Sequence, residues 1–201
     1  FTILDDADQI AMLKAILHKE GVHKRISPRQ LSSQISHIKN NSAYGNIKYE
    51  DISDIFVRDL MLLYEAEKKM SRCFDFDDLL LVTLKLFQSH PEFKEEHQKN
   101  IQHLLVDEFQ DTNHVQHALI SEMIFKPTVS KKYRTPAITS LCIVGDEDQS
   151  IYSWRGAIAG SMITFKDHFK KVTSLSLLFS IIPSAHQRIY GQTKEATTKS
   201  A

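Results

Sequence analysis

Glycine is the informative shortage in this chain. Six occur among 201 residues, where average usage of about 7% would place roughly 14. They are Gly21, Gly45, Gly145, Gly156, Gly160 and Gly191, and no set of them fits G-x-x-x-x-G-K-[ST] or G-x-G-x-x-G. The chain therefore holds no standard glycine-rich cradle for phosphates. Cysteine is scarcer still: Cys73 and Cys142 stand alone, without C-x-x-C or His/Cys spacing. That excludes a disulfide-stapled scaffold, argues against a cysteine metal site, and predicts two buried, reduced thiols. No apolar run approaches the roughly 18 residues a membrane span needs. The start, Phe1-Thr2-Ile3-Leu4-Asp5-Asp6, lacks the basic-then-apolar layout of a signal peptide. The expectation is a cytoplasmic protein with no membrane partner. Charge of one sign is also missing, since 25 Lys+Arg balance 25 Asp+Glu. This excludes a generally basic nucleic-acid coat but leaves room for a local basic groove.

What is present is a hydrophobic content of 42%, enough for a real core. The first hundred residues read as helices. Ile10, Leu13, Ile16 and Leu17 recur at helical spacing behind Asp5-Asp6, and Gly21 is placed to stop that helix. Ser27, Pro28 and Gln30 supply an N-cap, a first-turn proline and a capping-box partner, with Leu31, Ile35 and Ile38 as the buried stripe. Ile52, Ile55, Phe56, Leu60 and Leu63 mark a third helix. Phe76, Leu79, Leu80, Thr83 and Phe87 mark a fourth, closed by Pro91. The pattern then changes. His103-Leu104-Leu105-Val106 and Leu141-Cys142-Ile143-Val144 are short apolar runs ending in acidic residues, with Val115, Leu119, Met123 and Ile124 outlining a helix between them. Strand, helix, strand with unbroken apolar strands predicts a buried parallel sheet, whose ligands gather at the strands' carboxyl ends. A helix over 157–169 and a strand over 172–177 extend this half.

Asp107 and Glu108 fall at the first of those ends. Magnesium takes hard oxygen ligands, commonly one or two carboxylates plus substrate phosphates, so Asp107 suits the ion and Glu108 suits an attacking water. The plainer alternative is an acidic turn in which Asp111 or Asn113 merely caps the next helix. Downstream, the Gln149 amide can both donate and accept, which suits detection of a γ-phosphate. Tyr152 and Trp154 beside Arg155 suit an aromatic and cationic platform on which bases stack, at about 1–3 kcal/mol per base, against the plainer alternative of a sole tryptophan that anchors a core or an interface.

The strings Asp107-Glu108-Phe109-Gln110-Asp111-Thr112 and Val144-Gly145-Asp146-Glu147-Asp148-Gln149-Ser150-Ile151-Tyr152-Ser153-Trp154-Arg155-Gly156-Ala157 closely resemble two signature motifs of the UvrD/Rep/PcrA-type superfamily 1 DNA helicases. The resemblance implies an α/β fold of P-loop NTPase type, a partial RecA-like parallel sheet with helices, plus an N-terminal all-α subdomain. It also implies ATP and Mg2+ as cofactors, with Asp107 as the magnesium carboxylate, Glu108 as the catalytic base and Gln149 as the γ-phosphate sensor. Tyr152 and Trp154 are then base-stacking residues and Arg155 a DNA contact or a coupling residue. Ile3-Leu4-Asp5-Asp6-Ala7-Asp8-Gln9 is similar to the opening of the family's helical insertion, subdomain 1B. Phe74-Asp75-Phe76-Asp77-Asp78-Leu79-Leu80 is similar to its return segment, though those acids also suit a helix's first turn. Lys39, Lys48, Lys68, Lys69 and Arg72 are candidates to follow a DNA backbone, against the ordinary reading of a solvated face.

The expected division is a helical subdomain over 1–98, a partial motor domain over 99–177 and a divergent tail over 178–201. The family's Walker A loop would precede Phe1, and its second RecA-like domain would follow Ala201. The chain alone is therefore expected not to hydrolyse ATP at a useful rate. After Leu177 the family's arginine motif gives way to Leu178-Phe179-Ser180-Ile181-Ile182-Pro183, which suggests a frameshift or a badly ended gene fragment. The expected function is that of a fragment of an ATP-dependent DNA helicase acting on single-stranded DNA and duplex junctions in repair or replication, with accessory repair proteins as further partners. A non-catalytic module binding single-stranded DNA or a protein is the alternative. A magnesium nuclease built on Asp107, Glu108 and Asp146 is a weaker third reading, because it leaves Gln149 and Trp154 without a role.

Overall fold

The computed structural model describes residues 1–42, 45–126 and 136–146. They lie in the first of two units, Phe1–Met162; the second, Ile163–Ala201, lies wholly outside the described residues. Strand β1 (Thr2–Ile3) leads into α1 (Asp6–Lys19), whose N-terminus is closed by the Asp5 carboxylate accepting the Asp8 N–H at 2.8 Å. Gly21, at φ +69°, turns the chain away beyond its end, a conformation costly for a residue with a Cβ. Helix α2 (Pro28–Asn40) begins at the expected capping box of Ser27 and Gln30. Helix α3 (Ile55–Ser71) follows, and the three helices share one core in which Leu13, Leu17, Leu31, Ile35, Met61 and Tyr64 are fully buried.

The buried face of α3 differs from the expected stripe. Ile55 and Leu63 are 60% and 41% exposed, while Val57, Leu60, Met61, Tyr64 and Lys68 face inward. Apolar residues lie on both sides of this helix, so periodicity alone leaves its rotation open; Tyr64 and Lys68, one turn apart, find buried partners and decide it. Strand β2 (Cys73–Phe74) then returns parallel to β1, with Thr2 opposite Cys73 and Ile3 opposite Phe74. The entry to the three-helix excursion and its exit therefore lie side by side.

Helix α4 (Phe76–Ser89) is likewise rotated from expectation: Phe76 is 56% exposed, and Asp78, Leu81, Leu84 and Phe87 are buried. Pro91 does close this segment, and it also opens α5 (Pro91–Lys99), a helix the apolar pattern did not reveal. Its inward residues are polar. Lys94 meets Glu122 at 2.5 Å, and the Gln98 amide donates to the carbonyls of Glu122 and Phe125 at 2.8 Å each. Strand β3 (His103–Val106), helix α6 (His114–Ile124) and strand β4 (Ser140–Ile143) complete the described chain. Leu81 and Leu84 of α4 pack with Val115 and Ala118 of α6, so the helical part and the strand-helix-strand part share apolar contacts.

Strands β3 and β4 pair in parallel, His103 opposite Ser140 and Val106 opposite Ile143, as the apolar runs predicted. The expected burial is not seen. Leu105 and Val144 are 75% and 54% exposed, and Cys142, opposite Leu105, is exposed with them. A two-stranded ribbon has two faces, and among the described residues nothing covers this one. Both thiols are free, but Cys73 is half-buried and Cys142 exposed, which corrects the expectation of two buried cysteines. The described structure is thus mostly helical with two small parallel sheets. The expected 157–169 helix, 172–177 strand and 178–201 tail lie outside the described residues.

Candidate functional site

The carboxyl end of β3 turns sharply. The Asp107 carboxylate accepts the Glu108 N–H at 2.9 Å, and Glu108 takes a left-handed backbone, φ 50°. A non-glycine residue there carries strain of about 1–3 kcal/mol, tolerated where surrounding bonds over-determine it. They do so here. Phe109 N–H donates to the Val144 carbonyl at 3.0 Å, Val144 N–H to the Val106 carbonyl at 2.8 Å, and Asp111 N–H to the Glu108 carbonyl at 2.9 Å. The Phe109–Asp111 3₁₀ turn anchors Phe109 and Gln110 in the interior, while Asp107 and Glu108 face solvent. Gln110 uses both ends of its buried amide. Nε2 donates to Glu108 Oε2 at 2.6 Å, and Oε1 accepts the Asp146 N–H at 3.0 Å.

Below the turn, the Thr112 hydroxyl donates to the Phe109 carbonyl at 2.5 Å, so His117 Nε2, 2.6 Å from Thr112 Oγ1, must be the donor in that contact. The imidazole also stacks on Phe109, with centroids 4.6 Å apart. Burial, aided by the charge of His114, pushes the His117 pKa down to about 4 from 6.5, so the ring is neutral at pH 7. An unfolded chain takes up this proton near pH 6.5 and the folded one only near 4; between those values unfolding gains a proton. Stability is therefore expected to fall by about 1–3 kcal/mol as pH drops through this window. Urea unfolding at the two limits checks this. His117→Gln, which keeps a donor but cannot titrate, should remove that part of the loss, and an undiminished loss in the variant would refute it.

A second polar centre lies inside the helical part. Lys39 of α2 and Lys68 of α3 are 1% and 2% exposed. Lys39 Nζ lies 2.7 Å from Asp75, 2.8 Å from Asp78 and 2.9 Å from Glu65. Lys68 Nζ reaches Asp75 at 2.9 Å, Asp78 at 2.5 Å and Glu65 at 2.9 Å, and the Tyr64 hydroxyl donates to Asp75 at 3.0 Å. Burial opposes the charge on Lys39, but Asp75, Glu65 and Asp78 outweigh it and hold the ammonium well above its usual range. Burial likewise opposes the Asp75 charge, and the two lysines outweigh it and hold that carboxyl well below the usual range. Glu65, Asp75 and Asp78 are spaced to surround a metal ion, yet two ammonium groups already occupy their centre. Lys39 and Lys68 are therefore not DNA-backbone contacts; Lys48, Lys69 and Arg72 remain exposed. Next to this cluster, the Asn40 amide donates to Asp77 at 2.9 Å and its oxygen accepts from Asn113 at 2.9 Å, linking α2, α4 and the N-cap of α6.

Residues 1–170 match the model of the UvrD/REP helicase N-terminal domain. The chain belongs to the UvrD/REP helicase family. It is 33% identical over 181 residues to the ATP-dependent DNA helicase PcrA of Staphylococcus epidermidis and 32% identical over 186 residues to that of Bacillus subtilis. A PcrA of Staphylococcus aureus is also 33% identical over 181 residues. In each case 88% of this chain is aligned, and it spans 23% of the length of the relative. Asp107 and Glu108 directly follow β3, and the backbone N–H of Asp146, just beyond β4, bonds to Gln110 of the same turn. Gln149, Tyr152, Trp154 and Arg155 lie outside the described residues. Asn113 caps α6 with Gln116 in a capping box, so the capping alternative holds for that residue alongside the carboxylate turn. Gln110 and His117 carry no site signal in the sequence. Gln110 sits inside the motif string, but its burial between two strand ends leaves no periodic trace.

Proposed function

We propose that this chain is the part of an ATP-dependent DNA helicase that contains the helical 1B subdomain and a portion of the first RecA-like motor domain. The observation that carries the reading is the placement of Asp107 and Glu108 at the carboxyl end of β3, in parallel register with β4. Ligands of open α/β sheets bind at such ends. The uncovered face of Leu105, Cys142 and Val144 is what a larger sheet with packed helices would bury. The adjacency of β1 and β2 supports reading α1 to α3 as an insertion. The 1–98, 99–177 and 178–201 divisions belong to this proposal, as does a cytoplasmic site of action on single-stranded DNA, duplex junctions and accessory repair proteins.

The turn fits Mg2+ with ATP. Asp107 is exposed and commits one oxygen to the Glu108 N–H, leaving the other for a hard cation. Asp111 Oδ1, buried in the turn that follows, has no hydrogen-bond partner among the described residues. Asp107 would hold the ion, which would supply positive charge against the charge developing on a transferred phosphoryl group. Glu108 presents Oε1 to solvent while Gln110 holds Oε2, so the carboxylate is oriented to position a water and accept its proton. Gln149 senses the γ-phosphate in this reading, and Tyr152, Trp154 and Arg155 grip the strand through stacking and charge. The chain alone lacks a phosphate cradle and is expected to be nearly inert toward ATP.

Trp154 is the sole tryptophan, so its emission tests the DNA assignment on the chain itself. Adding oligothymidylate should quench the emission, with an apparent affinity that weakens as salt rises. Binding seen by the anisotropy of a labelled strand with no change in tryptophan emission would remove Trp154 from the contact, and no binding at low salt would sink the reading.

A further inference from the structure

The geometry points to Gln110 as a positioning residue that couples the Glu108 carboxylate to the strand end at Asp146. The inference rests on the proposed role of Glu108 and adds a residue to it. Gln110 is 2% exposed. Its amide donates to Glu108 Oε2 at 2.6 Å and accepts from the Asp146 N–H at 3.0 Å, so one planar group spans the ends of both strands. Few side chains can do this: a carboxylate has no proton for Glu108, and an ammonium has no acceptor for Asp146. The bond from Phe109 N–H to the Val144 carbonyl ties the turn to the chain just after β4. The Gln110 amide joins it also to Asp146, inside the string that carries Gln149 and Trp154.

The consequence is directional. While Asp146 stays in place, the amide is fixed, Oε2 is engaged and Oε1 is the oxygen offered to water. A shift of the Asp146 backbone pulls the acceptor end of the amide and turns the donor end, so the aim of Glu108 changes with the position of the strand end. Glu108 sits on a left-handed backbone at φ 50°, where the main chain offers little freedom to compensate. The side-chain bond therefore sets the carboxylate's direction.

The test is NMR of the full chain, isotope-labelled and held at one pH, in the parent, Glu108→Gln, Gln110→Met and the double variant. Glu108→Gln should shift both a Gln110 side-chain amide proton and the backbone amide of Asp146. In the Gln110→Met background the same substitution should move the Asp146 amide about fivefold less, because bonded groups polarise one another and a thioether cannot relay the change. An Asp146 amide that ignores Glu108→Gln, or a response undiminished in the Gln110→Met background, overturns the inference. Should Gln110→Met fail to fold, the Gln110 side-chain amide protons decide in its place: one must shift in Glu108→Gln, and unmoved signals overturn the coupling. None of these readouts uses ATP hydrolysis, so failure of Glu108 as the catalytic base is distinguishable from failure of the coupling.

Discussion

Asp75→Ala is expected to lower the unfolding free energy by about 3–5 kcal/mol, the range found when one partner is removed from a buried ion pair. Asp75 Oδ2 takes Lys39, Lys68 and Tyr64, and Oδ1 accepts the Asp78 N–H at 2.9 Å as the N-cap of α4. Truncation leaves two buried ammonium groups facing the remaining carboxylates and also uncaps a helix, a loss of about 1 kcal/mol by itself. Asp75→Asn keeps a capping oxygen and loses the charge, so it should fall between the parent and the alanine variant. The exposed pair Lys48–Asp51, at 4.0 Å with both side chains about two-thirds exposed, supplies the contrast. Asp51→Ala should cost no more than about 0.5 kcal/mol. Urea unfolding of the three variants decides the matter, and a loss below about 1 kcal/mol for Asp75→Ala would show that water reaches the cluster.

The cluster also has a defined pH window. The Asp75 carboxyl is held below its unfolded range, so its contribution is present above about pH 4 and is lost as pH falls through the folded value. Lys39 is held above its unfolded range, so its contribution is complete below about pH 10 and is lost only as pH rises further. Between those limits Lys39 and Asp75 remain charged together. Well-packed apolar residues often match such a set in stability, and the cluster's more specific effect is to fix the rotation of α3 and α4. Only one alignment of Lys68 and Asp78 meets Lys39.

Glu108→Gln is expected to abolish most ATP turnover where the motor is complete. The measurement needs a chimera in which this chain replaces the matching segment of the Bacillus subtilis relative and which hydrolyses ATP in the presence of DNA. In that setting kcat should fall about 10²–10⁴-fold, the usual contribution of a positioned general base. The substitution preserves shape, and Glu108 faces solvent, so folding should be unchanged. The glutamine can still meet the Gln110 amide but cannot take a proton from water. Nucleotide affinity, read separately with a fluorescent ATP analogue, should stay within about threefold because the phosphates are held elsewhere. Turnover close to that of the parent chimera would remove Glu108 from the chemistry, and a loss matched by lost nucleotide binding would make it a binding residue instead.

Much of the local structure could be read from adjacent residues. Ser27-Pro28-x-Gln30 opens α2 at the expected capping box, and the apolar runs at 103–106 and 141–144 pair as parallel strands within one residue of expectation. The carboxylates fall at the strand end because the apolar run stops there. Other features depended on partners distant in sequence. Lys39 and Asp78 are 39 positions apart, and on a helical wheel each looks like an ordinary solvated charge. Phe76 and Leu79 looked like core but point outward, since burying Asp75 and Asp78 with the lysines rotates α4.

The bare chain thus establishes the helix starts, the strand-helix-strand order, the acidic turn and the family resemblance, because each rests on short-range chemistry: caps, periodicity and contiguous motif strings. The folded chain alone decides which charges are buried, which face of each helix is core, and that Gln110 spans two strand ends. Those outcomes follow from desolvation, which penalises a charge or an amide until a partner from another element arrives to meet it.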